Sequence, residues 1–489
     1  MKRITSIALF LALLTSLTAC GEAASGSDTT AADSTDTTAP EVVDIYASLP
    51  TANNGGMEIN ILAYPASYGD SEYLDAEQTG EVIDDALFMR NSETEERLGV
   101  DIVFHTLGKS DLETATQFNS VVQAGDAAYD IFVNKSYALG SILSNGTIRP
   151  WDGIDGISYD APWYIAQANE TMTFRHKTYA LFSDACGTNI TMCWAYTFNK
   201  RIADEWQIGD LYSIVRDGKW TIDKVSELTK GVYQDLNGNS ERDDADLYGF
   251  YTDKWATLDA CMFAHDLGSI SKDADDVIYL DYYSERLVNS IEKVYNLWWE
   301  NSGTFVDTKE AYRNVAQFAQ GHGLFTTMFI QYLIEGDMRQ MEDEYGVLPS
   351  PKFDEAQENY GTNVHPRFGM MVLPVTLTAE KEAVIGQFTE VWSALSHKYL
   401  RPALYDVSLT TKGTRDEESI EMMDLIMDSR AFDFSTSFQS AGGFPFTQSS
   451  YKSMIAKKNK DVASYYESNR EKAETFITNM VEKLSDAVS

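Results

Sequence analysis

Residues 235–246, DLNGNSERDDAD, carry oxygen-bearing side chains at a regular spacing. Positions 1, 3, 5, 7, 9 and 12 of this loop are Asp235, Asn237, Asn239, Glu241, Asp243 and Asp246. With the backbone carbonyl of the seventh residue, this is the spacing that arranges oxygen atoms around a calcium ion. The sequence therefore predicts one structural calcium ion, and an acidic surface turn without metal is the alternative.

The same loop lacks the features of a calcium sensor. Position 6 is Ser240, where a glycine is usual, and position 12 is an aspartate, which is shorter than the usual glutamate. The segment LYGFYTD after the loop has a strand pattern, whereas a sensor needs a second helix that can move. We therefore expect the ion to brace the fold and not to switch it.

The composition argues against several other kinds of chemistry. The chain has 75 acidic and 38 basic residues, and it shows no basic patch that could neutralise nucleic-acid phosphates. The six histidines are scattered, no cysteine pair has zinc spacing, and no organic cofactor is indicated. After Cys20 the chain contains Cys186, Cys193 and Cys261, an odd number that argues against a disulfide framework, although Cys186 and Cys193 could close a small loop.

The N-terminus, MKRITSIALFLALLTSLTAC, indicates where the protein acts. Basic residues followed by a short apolar run and small residues are typical of an export signal, and the run is too short to span a membrane. Its last four residues resemble a bacterial lipobox, which implies a signal peptide over 1–19 and lipidation of Cys20; an ordinary secretory signal is the alternative. Residues 20–56 are rich in Ala, Ser, Thr and Asp, which predicts a flexible tether. The expected location is the extracellular face of the cell membrane, anchored through Cys20.

The elements that must position any functional side chains alternate between strands and helices. Apolar runs and helical periodicity predict strands at 58–64, 100–105 and 129–134, and helices at 82–98, 380–400 and 461–486. Gly99 is expected to end the first helix. Strand, helix and strand in this order are typical of a parallel α/β lobe.

Four stretches of the chain resemble one protein family. They are residues 77–102, 198–230, 318–360 and 405–434, which include FNKRIADEW, FAQGHGLFTTM and LPSPKF. They are similar to the family 1 extracellular solute-binding lipoproteins of ABC carbohydrate importers, of the long clostridial type. The resemblance implies an α/β, two-lobed periplasmic-binding-protein-like fold, in which each lobe is a sheet flanked by helices and the ligand binds in a cleft between the lobes. By analogy, the first lobe comprises 57–185 plus 366–425, and the second comprises 190–362 plus 430–489.

The resemblance also implies where ligand contacts lie, on loops after the strands and at the crossings between the lobes. The candidates are Tyr64, Tyr68, Asp70, Asn134, Lys135, Tyr137, Trp194, Asp253, Lys254, Trp255, Phe329, Gln331, His365, Arg367 and Phe444. Aromatic faces stack on sugar rings and polar side chains bind hydroxyls, but core packing is the alternative for each of these positions. At His365 and Arg367 many relatives have an aromatic site instead, which hints at a polar or acidic sugar.

The function implied by the resemblance is capture of a small solute by lobe closure and its delivery to an ABC permease. An oligosaccharide is the leading solute class, with peptides and glycerol phosphate as other classes. We expect a monomer that is not an enzyme, because the ligand is released intact. The alternatives are a calcium-braced surface adhesion or structural lipoprotein, and a secreted carbohydrate-active enzyme, which would need two carboxylates around a scissile bond.

Overall fold

The computed structural model describes residues 44–65, 72–411, 414–415, 417–440 and 442–487. Residues Ser48–Ser489 form one compact unit. The predicted signal peptide, Cys20 and most of the predicted tether lie outside the described residues, as do Tyr68 and Asp70. Within the described ranges, no helix is both long enough and apolar enough to cross a membrane.

Seventeen strands are described. They are β1 Met57–Ala63, β2 Val100–Thr106, β3 Ile131–Lys135, β4 Ile148–Arg149, β5 Trp194–Asn199, β6 Tyr233–Gln234, β7 Leu247–Asp253, β8 Ile270–Lys272, β9 Ile278–Leu280, β10 Thr304–Asp307, β11 Gly323–Phe329, β12 Tyr345–Leu348, β13 Thr362–Asn363, β14 Gly369–Pro374, β15 Thr410–Thr411, β16 Thr414–Arg415 and β17 Arg430–Ala431.

Sixteen α-helices are described. They are α1 Val82–Leu98, α2 Asp111–Gln123, α3 Leu139–Ser144, α4 Ala166–Thr171, α5 Thr188–Thr191, α6 Lys200–Glu205, α7 Leu211–Arg216, α8 Ile222–Thr229, α9 Glu285–Tyr295, α10 Arg313–Ala319, α11 Ile330–Ile334, α12 Ala379–Leu395, α13 Arg401–Leu409, α14 Glu417–Asp428, α15 Gln448–Ala456 and α16 Val462–Ala487.

The first sheet has the strand order β2-β1-β3-β14-β4. Its strands β2, β1 and β3 are parallel, and β14 is antiparallel to both β3 and β4. Every residue of β3 and of β14 is buried, which is the pattern of a sheet that is covered on both faces. Helices α1, α2 and α12 pack around this sheet.

The second sheet has the order β10-β7-β11-β5-β12, with β6 paired to β7. Strands β10, β7 and β11 are parallel, and β5 is antiparallel to β11 and β12. All residues of β5, β7 and β11 are buried, so this sheet is also covered on both faces. Helices α6, α8, α10 and α14 contact its strands.

Three chain segments cross between the two sheets side by side. β13 pairs in parallel with β17, and Cys193 forms an antiparallel bridge with Val364. The amide of His365 donates to the carbonyl of Met192 over 3.0 Å, which joins the first crossing to the second. The connection between the lobes is therefore a small hydrogen-bonded unit and not a set of separate linkers.

The predicted helix at 82–98 is confirmed. α1 spans these residues, and Gly99 follows it with a positive φ of 61°, a left-handed conformation that a glycine adopts without steric cost. The predicted helix at 380–400 is divided, because α12 ends at Leu395 and a π-helical turn at Ser396–Leu400 leads into α13.

Two predicted boundaries differ from the structure. The predicted tether to residue 56 is too long, because Leu49 is buried and the amides of Ala52, Asn54 and Gly56 donate to carbonyls at the end of α1. The first lobe was expected to continue to 425, but α14 packs on β12 of the second sheet. There the hydroxyl of Ser419 accepts from the amide of Val347 over 3.1 Å.

Candidate functional site

The ends of both sheets meet at the crossing segments. The residues after β1 and β3 and the start of β14 lie at one edge of the first sheet; the ends of β7 and β11 and the start of β5 lie at one edge of the second. In α/β sheets, ligands bind beyond the carboxyl ends of parallel strands, where loops replace regular structure. We call the space between these two edges the cleft.

A cluster of rings occupies the second-sheet side of the cleft. Trp194 and Phe329 begin and end neighbouring strands, and their ring centroids are 4.1 Å apart. Tyr312 and Tyr332 lie 5.8 and 6.1 Å from Phe329, and the His365 ring approaches Phe329 edge-on at 5.2 Å. The predicted residues Trp194, Phe329 and His365 therefore come together. Rings at such spacings provide an apolar surface with polar tips.

Tyr312 has an unusual backbone. Its φ is +62°, a left-handed conformation that costs a non-glycine residue about 1–3 kcal/mol and that eight other described non-glycine residues also adopt. Its amide donates to Oδ2 of Asp253 over 3.0 Å, and Oδ1 of Asp253 accepts from the amide of Trp255 over 2.7 Å. The predicted ligand contact Asp253 is thus buried and occupied with backbone donors, so it orients two aromatic loops instead of reaching a ligand.

Trp255 and Lys452 form the outer part of the same side. Trp255 remains 40% exposed, and the Lys452 ammonium lies 5.1 Å from the centroid of its ring. Lys452 also pairs with the buried carboxylate of Asp259 over 2.7 Å. Trp255 therefore offers a free ring face next to a charged pair. Lys254 beside it is exposed, and its amide donates to the carbonyl of Asp307.

A buried ion pair lies on the first-sheet side. Lys135 and Glu72 have almost no exposed side chain, and Nζ is 3.4 Å from Oε1. The hydroxyls of Tyr64 and Thr188 donate to Glu72 over 2.7 and 2.5 Å, and the ammonium lies 4.7 Å from the Tyr64 ring centroid. The predicted residues Tyr64 and Lys135 therefore act together around Glu72, which the sequence did not single out.

Asn134 and Tyr137 organise the loop after β3. The Tyr137 hydroxyl donates to the buried carboxylate of Asp111, and the Asn134 amide donates to the Asp111 carbonyl over 3.2 Å. Asn134 is fully buried, so it has a structural role, whereas Tyr137 is partly exposed.

His365 is neutral in this environment. Burial lowers its pKa to about 3, and the positive charges of Lys452, Arg367 and Lys135 add to the effect. Its Nδ1 accepts from the amide of Arg367 over 3.4 Å, which assigns the remaining proton to Nε2. Both Arg367 and Gln331 are half-buried beside the ring cluster, in the second crossing and at the start of α11 respectively.

No protein-family model matches the chain, and no curated protein matches it. Solved structures do. A cyclo/maltodextrin-binding protein complexed with maltotetraose matches with a TM-score of 0.53 and 12% identity, covering 88% of this chain and 97% of that chain. The galacto-N-biose-/lacto-N-biose I-binding protein of the ABC transporter from Bifidobacterium longum, in complex with lacto-N-biose, matches with a TM-score of 0.51 and 11% identity, covering 89% and 99%. UgpB from Mycobacterium tuberculosis in complex with glycerophosphocholine gives a TM-score of 0.51 and 12% identity, covering 89% and 99%.

The chain has the two-lobed fold of solute-binding proteins. The predicted fold class is therefore confirmed, with each lobe a sheet flanked by helices. In this two-lobed fold the cleft defined above lies between the lobes, beside the three crossing segments.

Phe444 is the predicted contact that the structure contradicts most clearly. It is buried, with ring centroids 6.4 Å from Phe446 and 5.5 Å from Phe476 of α16. The ring packs beneath the C-terminal helix, against Phe446 and Phe476, and it does not join the ring cluster of the cleft.

Four residues of the cleft were missed by sequence reasoning: Glu72, Asp259, Tyr312 and Lys452. Lys452 and Asp259 are 193 residues apart in the chain, and no local pattern indicates that they meet. Tyr312 carried no recognisable turn signal, because a tyrosine is an unexpected residue in the left-handed region.

The loop 235–246 is held by its own hydrogen bonds. Asp235 accepts from the amides of Gly238 and Ser240 over 2.6 and 2.9 Å, and the side-chain amides of Asn237 and Asn239 donate to Asp243. The Asp246 carboxylate accepts from the Tyr233 hydroxyl over 3.0 Å, and the Glu241 amide donates to Asn239.

All potential metal ligands of this loop are oxygen atoms, which suits calcium. The side-chain amides of Asn237 and Asn239 would have to rotate by about 180° to direct their oxygens at an ion. Across the described chain, no group of three or more His, Cys, Asp or Glu side chains is arranged to hold a metal ion. Strand β7 follows the loop, as the sequence predicts.

The three cysteines of this part of the chain are free and buried. Cys186 and Cys193 do not pair in this structure, and burial raises the pKa of the Cys193 thiol to about 12.

Proposed function

We propose that this protein is an extracellular solute-binding protein that captures an oligosaccharide by closing its two lobes, and that it delivers the sugar to an ABC permease. The observation that carries the proposal is the ring cluster of Trp194, Phe329, Tyr312 and Tyr332, placed where the chain crosses between the lobes. Trp194 and Phe329 are buried and support Tyr312 and Tyr332, which are partly exposed and can stack on the apolar face of a sugar. On the side of the first sheet, the hydroxyl of the partly exposed Tyr137 can bind a sugar hydroxyl.

Closure supplies the transport signal in this proposal. A ligand that touches Trp255 and the ring cluster on the second-lobe side, and Tyr137 after β3 on the first-lobe side, contacts both lobes only when they approach. Binding therefore shifts the population towards the closed form, and the permease recognises that form. The protein breaks no bond and acts as a monomer. Lipidation at Cys20, which is supported by the lipobox pattern, would hold it at the outer face of the membrane.

The experiment is a thermal-shift screen of the compact unit Ser48–Ser489 against neutral mono- and oligosaccharides, peptides, glycerol phosphate and glycerophosphocholine. A ligand at about one hundred times its Kd stabilises a single site by roughly 2.7 kcal/mol, which raises Tm by a few degrees for a chain of this size. Stabilisation by sugars, with a smaller radius of gyration in solution scattering, supports the proposal. Stabilisation by none of the sugars rejects it. Delivery is tested by loss of uptake of the bound sugar in cells that lack the protein.

We also propose that the loop 235–246 binds one structural calcium ion. The proposal is supported by the spacing of its oxygens and by the positive φ of 64° at Ser240, where calcium loops place a glycine. The ion would stabilise the turn between β6 and β7 and would contribute nothing to ligand capture.

A further inference from the structure

Three buried polar atoms beside the cleft lack a hydrogen-bond partner among the described residues. They are Nε1 of Trp194, Oδ1 of Asp259 and Oδ1 of Asn363. The Trp194 side chain has no exposed surface, and Asp259 and Asn363 are also buried. Leaving such an atom unsatisfied costs about 1–3 kcal/mol, so each of them requires an explanation.

The three atoms belong to one neighbourhood. Asn363 lies in the crossing strand β13, and its side-chain amide donates to the carbonyl of Asp259. Trp194 follows Cys193, which bridges to Val364 of the same crossing. Tyr312 lies near both: its ring stacks on Trp194 with centroids 6.5 Å apart, and the negative charge of Asp259 is close enough to raise, after burial, the pKa of its hydroxyl.

The second carboxylate oxygen of Asp259, Oδ2, is held in place by Lys452. Oδ2 lies 2.7 Å from Nζ of Lys452, and the same ammonium lies 5.1 Å from the ring of Trp255. Burial raises the pKa of the Asp259 carboxyl, while Lys452 opposes the rise. One oxygen is thus fixed by a lysine at the cleft, and the other is an acceptor that no donor of the described part of the chain reaches.

We propose that Trp194, Asp259, Asn363 and Lys452 form a hydroxyl-binding subsite in the cleft, and that it selects neutral sugars over acidic and amino sugars. The inference rests on the proposed function and specifies its substrate class. Trp194 requires an acceptor, whereas Asp259 and Asn363 require donors. Among common sugar substituents, a hydroxyl group is both donor and acceptor.

The charges near the subsite favour the same conclusion. Lys452 has Asp259 as its partner, and Lys135 on the opposite wall has Glu72, so each ammonium already has a carboxylate. Because the two charges of each pair compensate each other, neither pair offers a free countercharge to a ligand carboxylate or a ligand ammonium; a carboxylate would also meet Asp259, and an ammonium would also meet Lys452. His365 is neutral, so it neither attracts an acidic sugar nor repels an amino sugar. At this subsite the carboxylate of Asp259 therefore opposes the acidic sugar suggested by the residue types of His365 and Arg367, even though the positive charge of Arg367 lies close enough to lower the pKa of His365.

The test uses the best neutral oligosaccharide from the screen, beginning with maltotetraose, and its analogues with one uronic acid or one amino sugar at the end. We expect Asp259→Asn to weaken binding of the neutral sugar roughly ten- to a hundredfold, as for a lost hydrogen bond to a charged group. The neutral sugar should bind wild type at least about tenfold more tightly than either analogue.

The matched control is Asp130→Asn. Asp130 is also a buried carboxylate paired with one lysine, Lys381 at 3.1 Å, but it lies at the start of β3, at the sheet edge away from the cleft. This variant should bind like wild type. If Asp259→Asn fails to fold because Lys452 is left buried without a partner, the double variant Asp259→Asn/Lys452→Met removes both charges and tests the same site.

A second readout follows Trp194 itself. The indole Nε1 proton, assigned by its loss in Trp194→Phe, should shift in the NMR spectrum when the neutral sugar is added. Unchanged affinity in both Asp259 variants, tighter binding of the uronic acid, or an indole proton that does not move while the sugar binds would each overturn the inference, the last because water then satisfies the atom. Binding of none of the sugars, whether or not another solute binds, would instead overturn the proposed function, and the inference with it.

Discussion

Trp255→Ala should weaken sugar binding without unfolding the protein. Trp255 is 40% exposed at the end of β7, and its free area is therefore about 100 Å² if a whole tryptophan offers about 250 Å². Covering all of that area with a sugar ring at about 25 cal/mol per Å² contributes roughly 2.5 kcal/mol. The Kd should rise about tenfold if the sugar covers half of the area and roughly sixtyfold if it covers all of it.

The matched control for this prediction is Trp206→Ala. Trp206 is 37% exposed, so the two substitutions remove the same residue type with nearly the same buried fraction. Trp206 follows α6, which begins where β5 ends, and it therefore lies at the opposite edge of the second sheet from Trp194. Isothermal titration with the best sugar from the screen measures Kd, and thermal unfolding measures Tm.

Equal loss of affinity in both variants, or no loss in Trp255→Ala, would contradict this prediction. Equal loss would indicate a general effect on the fold. No loss would place the ligand away from Trp255 and would leave the inner ring cluster as the sole stacking surface in the proposal.

Four further predictions concern stability. The pKa of His365 is about 3 in the folded protein and near 6.5 in the unfolded chain, so its contribution to the free energy of unfolding is fully present above pH 6.5 and is lost as the pH falls towards 3. Urea unfolding at pH 7 and at pH 4.5 measures this loss of stability. Lys135→Met should cost about 3–5 kcal/mol in urea unfolding because Glu72 loses its buried partner, and adding Glu72→Gln should restore most of it. Calcium should raise the Tm of Ser48–Ser489, and a chelator should reverse the rise. The three buried cysteines of this unit should react with a thiol reagent only after unfolding.

Each of these predictions has a contradicting result. A His365→Asn variant with the same acid sensitivity as wild type would assign the effect to other groups. A double variant at Lys135 and Glu72 that is no more stable than the single variant would show that packing dominates over the charge. A Tm that does not respond to calcium or chelator would reject the metal proposal, and rapid thiol labelling of the folded protein would contradict the burial of the cysteines.

The parts of the fold that could be predicted are those set by local pattern. α1 has its predicted bounds because apolar residues recur at helical spacing and Gly99 can take the left-handed conformation at its end. β3 was expected at 129–134 and is found at Ile131–Lys135, a short apolar run of the kind that is buried on both faces. The C-terminal helix was expected at 461–486 and is found at Val462–Ala487.

The parts that could not be predicted depend on distant partners. The sequence predicts a site at Trp194, Phe329 and His365 because they lie after strands or at crossings between the lobes. The structure brings these three rings together. Asp253 has an equally suitable place, but its carboxylate is used by the backbone of its own loop and of Tyr312. Whether a polar side chain faces a ligand or a neighbouring amide depends on three-dimensional contacts that no local pattern contains.

The position of β14 has a consequence for how the chain reaches this fold. β14 lies between β3 and β4 in the first sheet, yet every strand of the second sheet precedes it along the chain. While the polypeptide is being synthesised, the edge of β3 that pairs with β14 stays open until β14 has been made. Such long-range pairing is slow and leaves apolar edges open to aggregation. We expect the insertion of β14, GMMVLP, between β3 and β4 to limit the rate of folding, so that the first lobe is the first to begin folding and the last to complete it.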